Sequence, residues 1–145
     1  MSIRETTAKD IIIVLGQIED PKLVLVSREP FEPEKLAITQ FPSVLVTSRD
    51  EEKSTVSMGA PSNGIRMGNI TYEIRGFIRG NELDSKRNDL IESIEEALDT
   101  DRYRNQPGVI INSQVTNIEI IDRLPPLAEF MLTYVVNYQH RRTVS

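Results

Sequence analysis

The sequence contains no cysteine, no tryptophan and a single histidine, His140. Without thiols there is no disulfide scaffold, thiolate zinc site, iron–sulfur cluster or cysteine nucleophile. One imidazole also excludes a multi-histidine metal site. Long apolar runs are missing too. The longest near the start, Ile11-Ile12-Ile13-Val14-Leu15, falls far short of the about twenty residues that cross a bilayer. Glu5 and Asp10 stand before it, where a signal peptide would carry basic residues, so the expected compartment is a cytoplasm or a particle assembled in one. Positive charge is scarce as well: 17 Lys+Arg against 22 Asp+Glu give a formal net charge of −5. Binding to phosphates draws on counterion release from many basic contacts, so this balance argues against a protein that grips nucleic acid.

What is present suits one globular domain. A chain of 145 residues, 39% hydrophobic and 27% charged, can bury one core and has the composition of a folded protein. Residues 1–145 are therefore read as a single domain without internal repeat.

Helical spacing opens the chain. Ser2 and Thr7 each precede a carboxylate by three residues, the capping-box pattern, and Ile3, Ala8, Ile11, Ile12, Leu15 and Ile18 follow at helical intervals until Asp20-Pro21. Residues 22–27 read as a short strand around Leu23-Val24-Leu25-Val26, Pro33 opens a possible short helix through Ala37, and Val44-Leu45-Val46-Thr47 reads as a second strand. Residues 48–69 are polar and glycine-rich, and predict a loop or an extended hairpin longer than a routine connection. Residues 70–79 alternate, with Ile70, Tyr72, Ile74 and Ile78 on one face and Thr71, Glu73, Arg75 and Arg79 on the other. Asp84 or Ser85 is the expected cap of the clearest helix, whose stripe is Leu90, Ile91, Ile94 and Leu98 and whose outer face is acidic. Residues 109–111 and 115–122 read as strands, joined as a hairpin through Asn112-Ser113. Residues 127–139 then alternate, Ala128, Phe130, Leu132, Tyr134, Val136 and Tyr138 against Glu129, Met131, Thr133, Val135, Asn137 and Gln139. The expected fold is α+β: one twisted antiparallel sheet with two main helices on one face.

Candidate chemistry is thin. His140 sits at the end of the last strand with no local nucleophile or carboxylate to work with. Glu95/Glu96 and Asp50/Glu51/Glu52 are adjacent acids of the kind that cover a solvated surface, and no EF-hand spacing follows the second group. Gly59 and Gly64 have the spacing of a phosphate loop, but Ile65-Arg66 follow where Lys and Ser/Thr are required. No catalytic residue, metal or cofactor is expected, and the chain is not expected to be an enzyme. Twelve of the 17 basic residues are arginines, the cation that best suits protein–protein contacts because its planar fork matches carboxylates.

The order of features over residues 70–138 resembles the tail terminator proteins of tailed bacteriophages and related neck proteins. It consists of an alternating strand ending in an Arg-Gly turn (Arg75-Gly76-Phe77-Ile78-Arg79-Gly80), then the helix Asn88-Asp89-Leu90-Ile91-Glu92-Ser93-Ile94-Glu95-Glu96-Ala97-Leu98, an irregular segment, and a last strand ending in Tyr134-Val135-Val136-Asn137-Tyr138. The amino-terminal helix and short strand fit as well. The resemblance implies a virion protein of the tail or neck, assembled in the host cytoplasm, whose subunits form a ring of six. The ring caps the tail tube, halts its growth and meets the head–tail connector. Implied partners are copies of itself, the tail tube protein, the connector and, as a further candidate, the sheath protein, while DNA passes without specific binding.

Size agrees with such a ring: a compact chain of this length has a diameter of about 38 Å, so six leave a central hole about one subunit wide. The net negative charge suits a lumen through which DNA slides. A ring needs two unlike edges on each subunit. Arg49, Asp50, Glu51, Glu52, Lys53, Arg66, Arg75, Arg79, Arg141 and Arg142 are the candidate subunit and tube contacts. Other readings are a different neck or connector protein, a tube or baseplate-hub component, and a non-viral adaptor that binds a peptide along a sheet edge.

Overall fold

The structure, a computed structural model, describes residues 2–55 and 65–141. Residues 56–64, with the Gly59/Gly64 spacing weighed above, and Arg142 lie outside the described residues. The Ser2 hydroxyl accepts the amide of Glu5 at 3.1 Å and starts α1, Ile3–Gly16, meeting one of the donors a helix leaves unpaired at its start. The helix ends at Gly16, four residues before the expected stop at Asp20-Pro21.

β1 is only Leu25–Ser27, shorter than the apolar run around it. β2, Ser43–Thr55, and β3, Ile65–Arg79, pair antiparallel from Ser43↔Phe77 to Thr55↔Arg66. Of the two readings open for residues 48–69, the extended hairpin holds as far as the chain is described. α2, Leu83–Asp99, starts from Glu82 in the left-handed region (φ 52°) without a side-chain cap, rather than from Asp84 or Ser85. Asp84 sits in its first turn, where a negative charge suits the helix dipole, and pairs with Arg87 at 2.9 Å. β4, Ile110–Ile121, is one strand, not a hairpin through Asn112-Ser113. Register shifts between Ile110/Asn112 and Val115/Asn117 break its alternation, so a bulged strand imitates a turn in the sequence. β5 is Leu127–Arg141.

The sheet order is β1-β2-β3-β5-β4, antiparallel throughout except for the edge strand β1, which runs parallel to β2. The fold is α+β, as expected, with this parallel edge as its one departure from an all-antiparallel sheet. Both helices pack on the same face. There Ile11 and Leu15 of α1 and Leu90, Ile94 and Leu98 of α2 meet Val44, Val46, Ile70, Tyr72, Ile74, Phe130, Leu132, Tyr134 and Val136 in one core. The two alternating strands thus bury the faces their sequences assign to the core.

The opposite face is covered at one end only. Residues 28–42, with a 3-10 helix at Pro33–Lys35, opened by Pro33 as expected but stopping short of Ala37, and a second at Ile38–Gln40, bring Phe31, Leu36 and Phe41 onto Leu45, Phe77 and Leu127. Phe31 meets Phe77 edge-on, 5.4 Å between ring centroids. Arg28 ties this segment to α1 through both oxygens of Glu5, at 2.7 and 3.0 Å.

Candidate functional site

The uncovered part of that second face carries the charges. Arg49 reaches Glu73 at 3.3 Å and Asp50 at 3.7 Å, and Arg75 lies 3.8 Å from Glu73 and 3.7 Å from Glu129. Arg123 donates to Glu129 at 2.6 Å and also pairs with Glu34. Arg49, Glu73, Arg75, Glu129, Arg123 and Glu34 therefore form a ladder of alternating sign across β2, β3 and β5, ending on the segment that folds over the sheet. Its anchor is Glu129, whose side chain is 1% exposed. A buried carboxylate is tolerated only when paired and hydrogen-bonded, and two guanidiniums do that here. The hydrogen bond to Glu129, then the charges of Glu129 and Glu34, hold the Arg123 guanidinium protonated even more firmly than usual. Arg123 also lies 5.9 Å over the Phe77 ring.

A bulge divides the candidate cluster at residues 49–53. Ser48 pairs with Tyr72 and Asp50 with Thr71, so Arg49 is the extra residue. Beyond it Asp50 and Glu52 lie on the open face, while Glu51 turns to the helix face. There Glu51 accepts from Arg4 at 2.6 Å and from the Tyr138 hydroxyl, with Lys53 3.8 Å away. Glu51 is thus an internal latch between the hairpin and α1. Burial, then the neighbouring Glu51, pushes the Tyr138 hydroxyl well above its ordinary pKa, and burial does the same for Tyr72, which donates to the Arg4 carbonyl at 3.0 Å. The three adjacent acids 50–52 do not converge, and among the described residues no group of three or more His, Asp or Glu could hold a metal.

Arg79 stands apart from the ladder. It donates to the Leu36 carbonyl at 3.4 Å and lines an open cleft of about 660 Å3 between α2 and the ends of β2 and β3. The cleft rim mixes Asp20, Asp89, Glu92 and Glu96 with Arg79 and Lys86. Acid–base hydrolysis needs two carboxylates in opposed environments across a substrate; these line one solvated rim. The backbones of Arg66, His140 and Arg141 pair in β3 and β5, and their side chains lie outside the described set. The structure thus gathers Arg49, Asp50 and Arg75 on one surface, turns Glu51 inward and places Arg79 elsewhere.

Glu129, Arg123 and Glu34 escape a reading by local spacing, since they come from three separate segments. One signal was available: Glu129 is a charge flanked by Ala128 and Phe130 at the start of the most apolar strand.

No protein-family model matches the chain, and neither does any curated protein. Among solved structures it is similar to a chain of the virion of a native gene transfer agent particle, with a TM-score of 0.52 at 7% identity, covering 96% of this chain and 96% of that one. At that identity the likeness is one of fold.

Proposed function

We propose that this chain is a structural subunit of a phage-derived virion, one that builds a ring of six at the end of the tail tube, stops tube growth and joins the tail to the head connector. The observation that carries the reading is the end-to-end likeness to a chain of a gene transfer agent virion. It spans both chains almost completely, so the shared unit is the whole domain rather than a common supersecondary fragment.

The open sheet face supports it physically. Arg49, Arg75 and Arg123 there are each matched by carboxylates, so this part of the face, turned toward DNA, would offer phosphates compensated cations and little counterion release. A second reading, another neck protein or a tube or hub component, draws on the same likeness, since it names a particle and no position in it. The chain acts in either case by shape and contact, without catalysis or cofactor.

The test is assembly. Negative-stain images of the purified chain, alone and mixed with tail tubes, are expected to reveal rings, seated at tube ends. Removal of residues 56–62 leaves the Glu51 latch in place and is expected to give a folded subunit that no longer caps. Tails of normal length with that variant count against capping, and rings stacked along the tube favour the tube-component reading.

A further inference from the structure

The sheet has two long edges whose outward hydrogen-bonding groups meet no strand among the described residues. One is the whole of β4. The other is β2 beyond Leu45, because β1 covers only Ser43, Val44 and Leu45. Open edges are usually defended by charges, proline or brevity. β4 has twelve residues, no proline, no lysine or arginine and a single charge, Glu119. Instead it exposes Ile118 at 42% and Ile120 at 45%. We infer that β4 pairs with the β1–β2 edge of a second copy of this chain, extending the sheet from one subunit into the next.

Three observations select that occupant. The first is strand direction. β2, β3, β5 and β4 alternate, so β2 and β4 run opposite ways. A copy related by rotation about an axis along the strands keeps its directions and presents β2 antiparallel to β4, the more stable pairing. The second is level. Through the shared registers Asn117 is level with Thr133, Glu73 and Thr47, and Ile110 with Tyr138, Gly68 and Lys53. The uncovered part of β2 starts at Val46, level with Ile74, Leu132 and Ile118, and so matches residues 110–118 of β4. The third is apolar surface. At the foot of that stretch and just below it, Ile118 and Ile120 lie on the helix face, paired with Leu132 and Phe130. On the opposite edge of the sheet Val24, just before β1, is 54% exposed, and its amide donates to the Pro42 carbonyl, which puts it two residues below Ile120, itself level with Val26. Strand pairing above, and below it an isoleucine–valine contact where β4 bends outward past β1, make one interface.

Pairing of β4 with itself would leave the β2 edge open on every dimer. The unlike contact covers both edges on every copy once the rotation closes. The inference rests on the ring reading for closure alone; the edge contact stands on the sheet.

The experiment is sedimentation of the full chain up to about 1 mM, where even a weak contact is populated. The wild type is expected to associate, whereas Ile118→Lys/Ile120→Lys and Val24→Lys each stay monomeric with unchanged circular dichroism. An equimolar mixture of the two variants retains one live interface and is expected to stop at dimers. Should the lysine at 24 disturb β1, Val24→Ser is expected to weaken association several-fold with the fold retained. A wild type monomeric at 1 mM, or Val24 variants that associate like the wild type, would overturn the inference. Open filaments from the wild type would overturn closure, and with it the cap, while keeping the edge contact.

Discussion

The ring of Phe130 lies across the α-carbon of Gly76, its cross-strand partner, in the space a β-carbon would need. Tyr138 covers Gly68 in the same way, eight residues along the same pair of strands. Each glycine weakens β3 locally by packing nothing of its own, and the facing aromatic fills the gap. Gly76→Ala is therefore expected to destabilise the fold by about 1–3 kcal/mol through overpacking. Urea unfolding of Gly76→Ala, Phe130→Leu and the double variant checks this: the double variant should be more stable than the two single losses added together predict. Additive losses would mean that the ring does not enforce the glycine.

Arg104 is fully buried and holds the end of α2, donating to the carbonyls of Leu98 at 2.7 Å and Asp101 at 2.6 Å. Its charge faces Asp10 at 3.4 Å. Arg104→Met strips two carbonyls of their donor and leaves Asp10 without its cation, and should cost about 3–5 kcal/mol. Burial outweighs the arginine and raises the Asp10 pKa above its ordinary 3.8. A raised folded pKa means that the native state holds the proton more tightly, so this group's stabilisation is complete below 3.8 and is lost as pH rises through the raised value. Compared with Asp10→Asn, the wild type should lose stability as pH rises above 3.8. A wild type that gains stability relative to Asp10→Asn as pH rises would reverse the assignment.

Tyr72, Tyr134 and Tyr138 all have raised pKa values, each chiefly through burial. Absorbance near 295 nm should therefore show these three of the four tyrosines still protonated at pH 10, the ordinary tyrosine value, in the folded chain. Their contribution to stability is present below pH 10 and is lost above it, as the unfolded chain releases its phenolic protons first. Tyr138→Phe removes the hydroxyl from Glu51 and should cost about 1–2 kcal/mol.

The ionic ladder makes a prediction about DNA. In Glu73→Gln/Glu129→Gln the guanidiniums of Arg49, Arg75 and Arg123 lose their main partners. The double variant should bind duplex DNA with an affinity that falls steeply with salt, whereas the wild type should not be retained on a DNA column at the same ionic strength. Equal retention of both would mean that the pairing does not screen the arginines.

Where side-chain periodicity decides the structure, the sequence was readable. The alternation at residues 70–78 and 128–138 and the stripe Leu90, Ile91, Ile94, Leu98 all bury the faces expected of them. What periodicity could not reveal depends on partners distant in sequence. β1 is a strand only where β2 lies beside it. The second apolar cluster joins Phe31 to Phe77 and Leu127, and Phe77 looks like a break in alternation until the covering segment is placed. Arg104 lies in the irregular segment after the second helix, where no spacing marks it, and is one of the most buried side chains. The cluster at 49–53 was located by composition, but its division into outward and inward members follows from a register shift that composition does not carry.

That shift gives the hairpin an independent adjustment. Ser43 to Ser48 are held in phase by the core, whereas everything past Arg49 takes its phase from one surplus residue. Deleting Arg49 would exchange the faces of residues 50–53, sending Asp50 and Glu52 toward α1 and Glu51 and Lys53 to the open side, with no core side chain replaced. A lineage of such chains could re-aim the charges on its β2–β3 hairpin by gaining or losing a single codon.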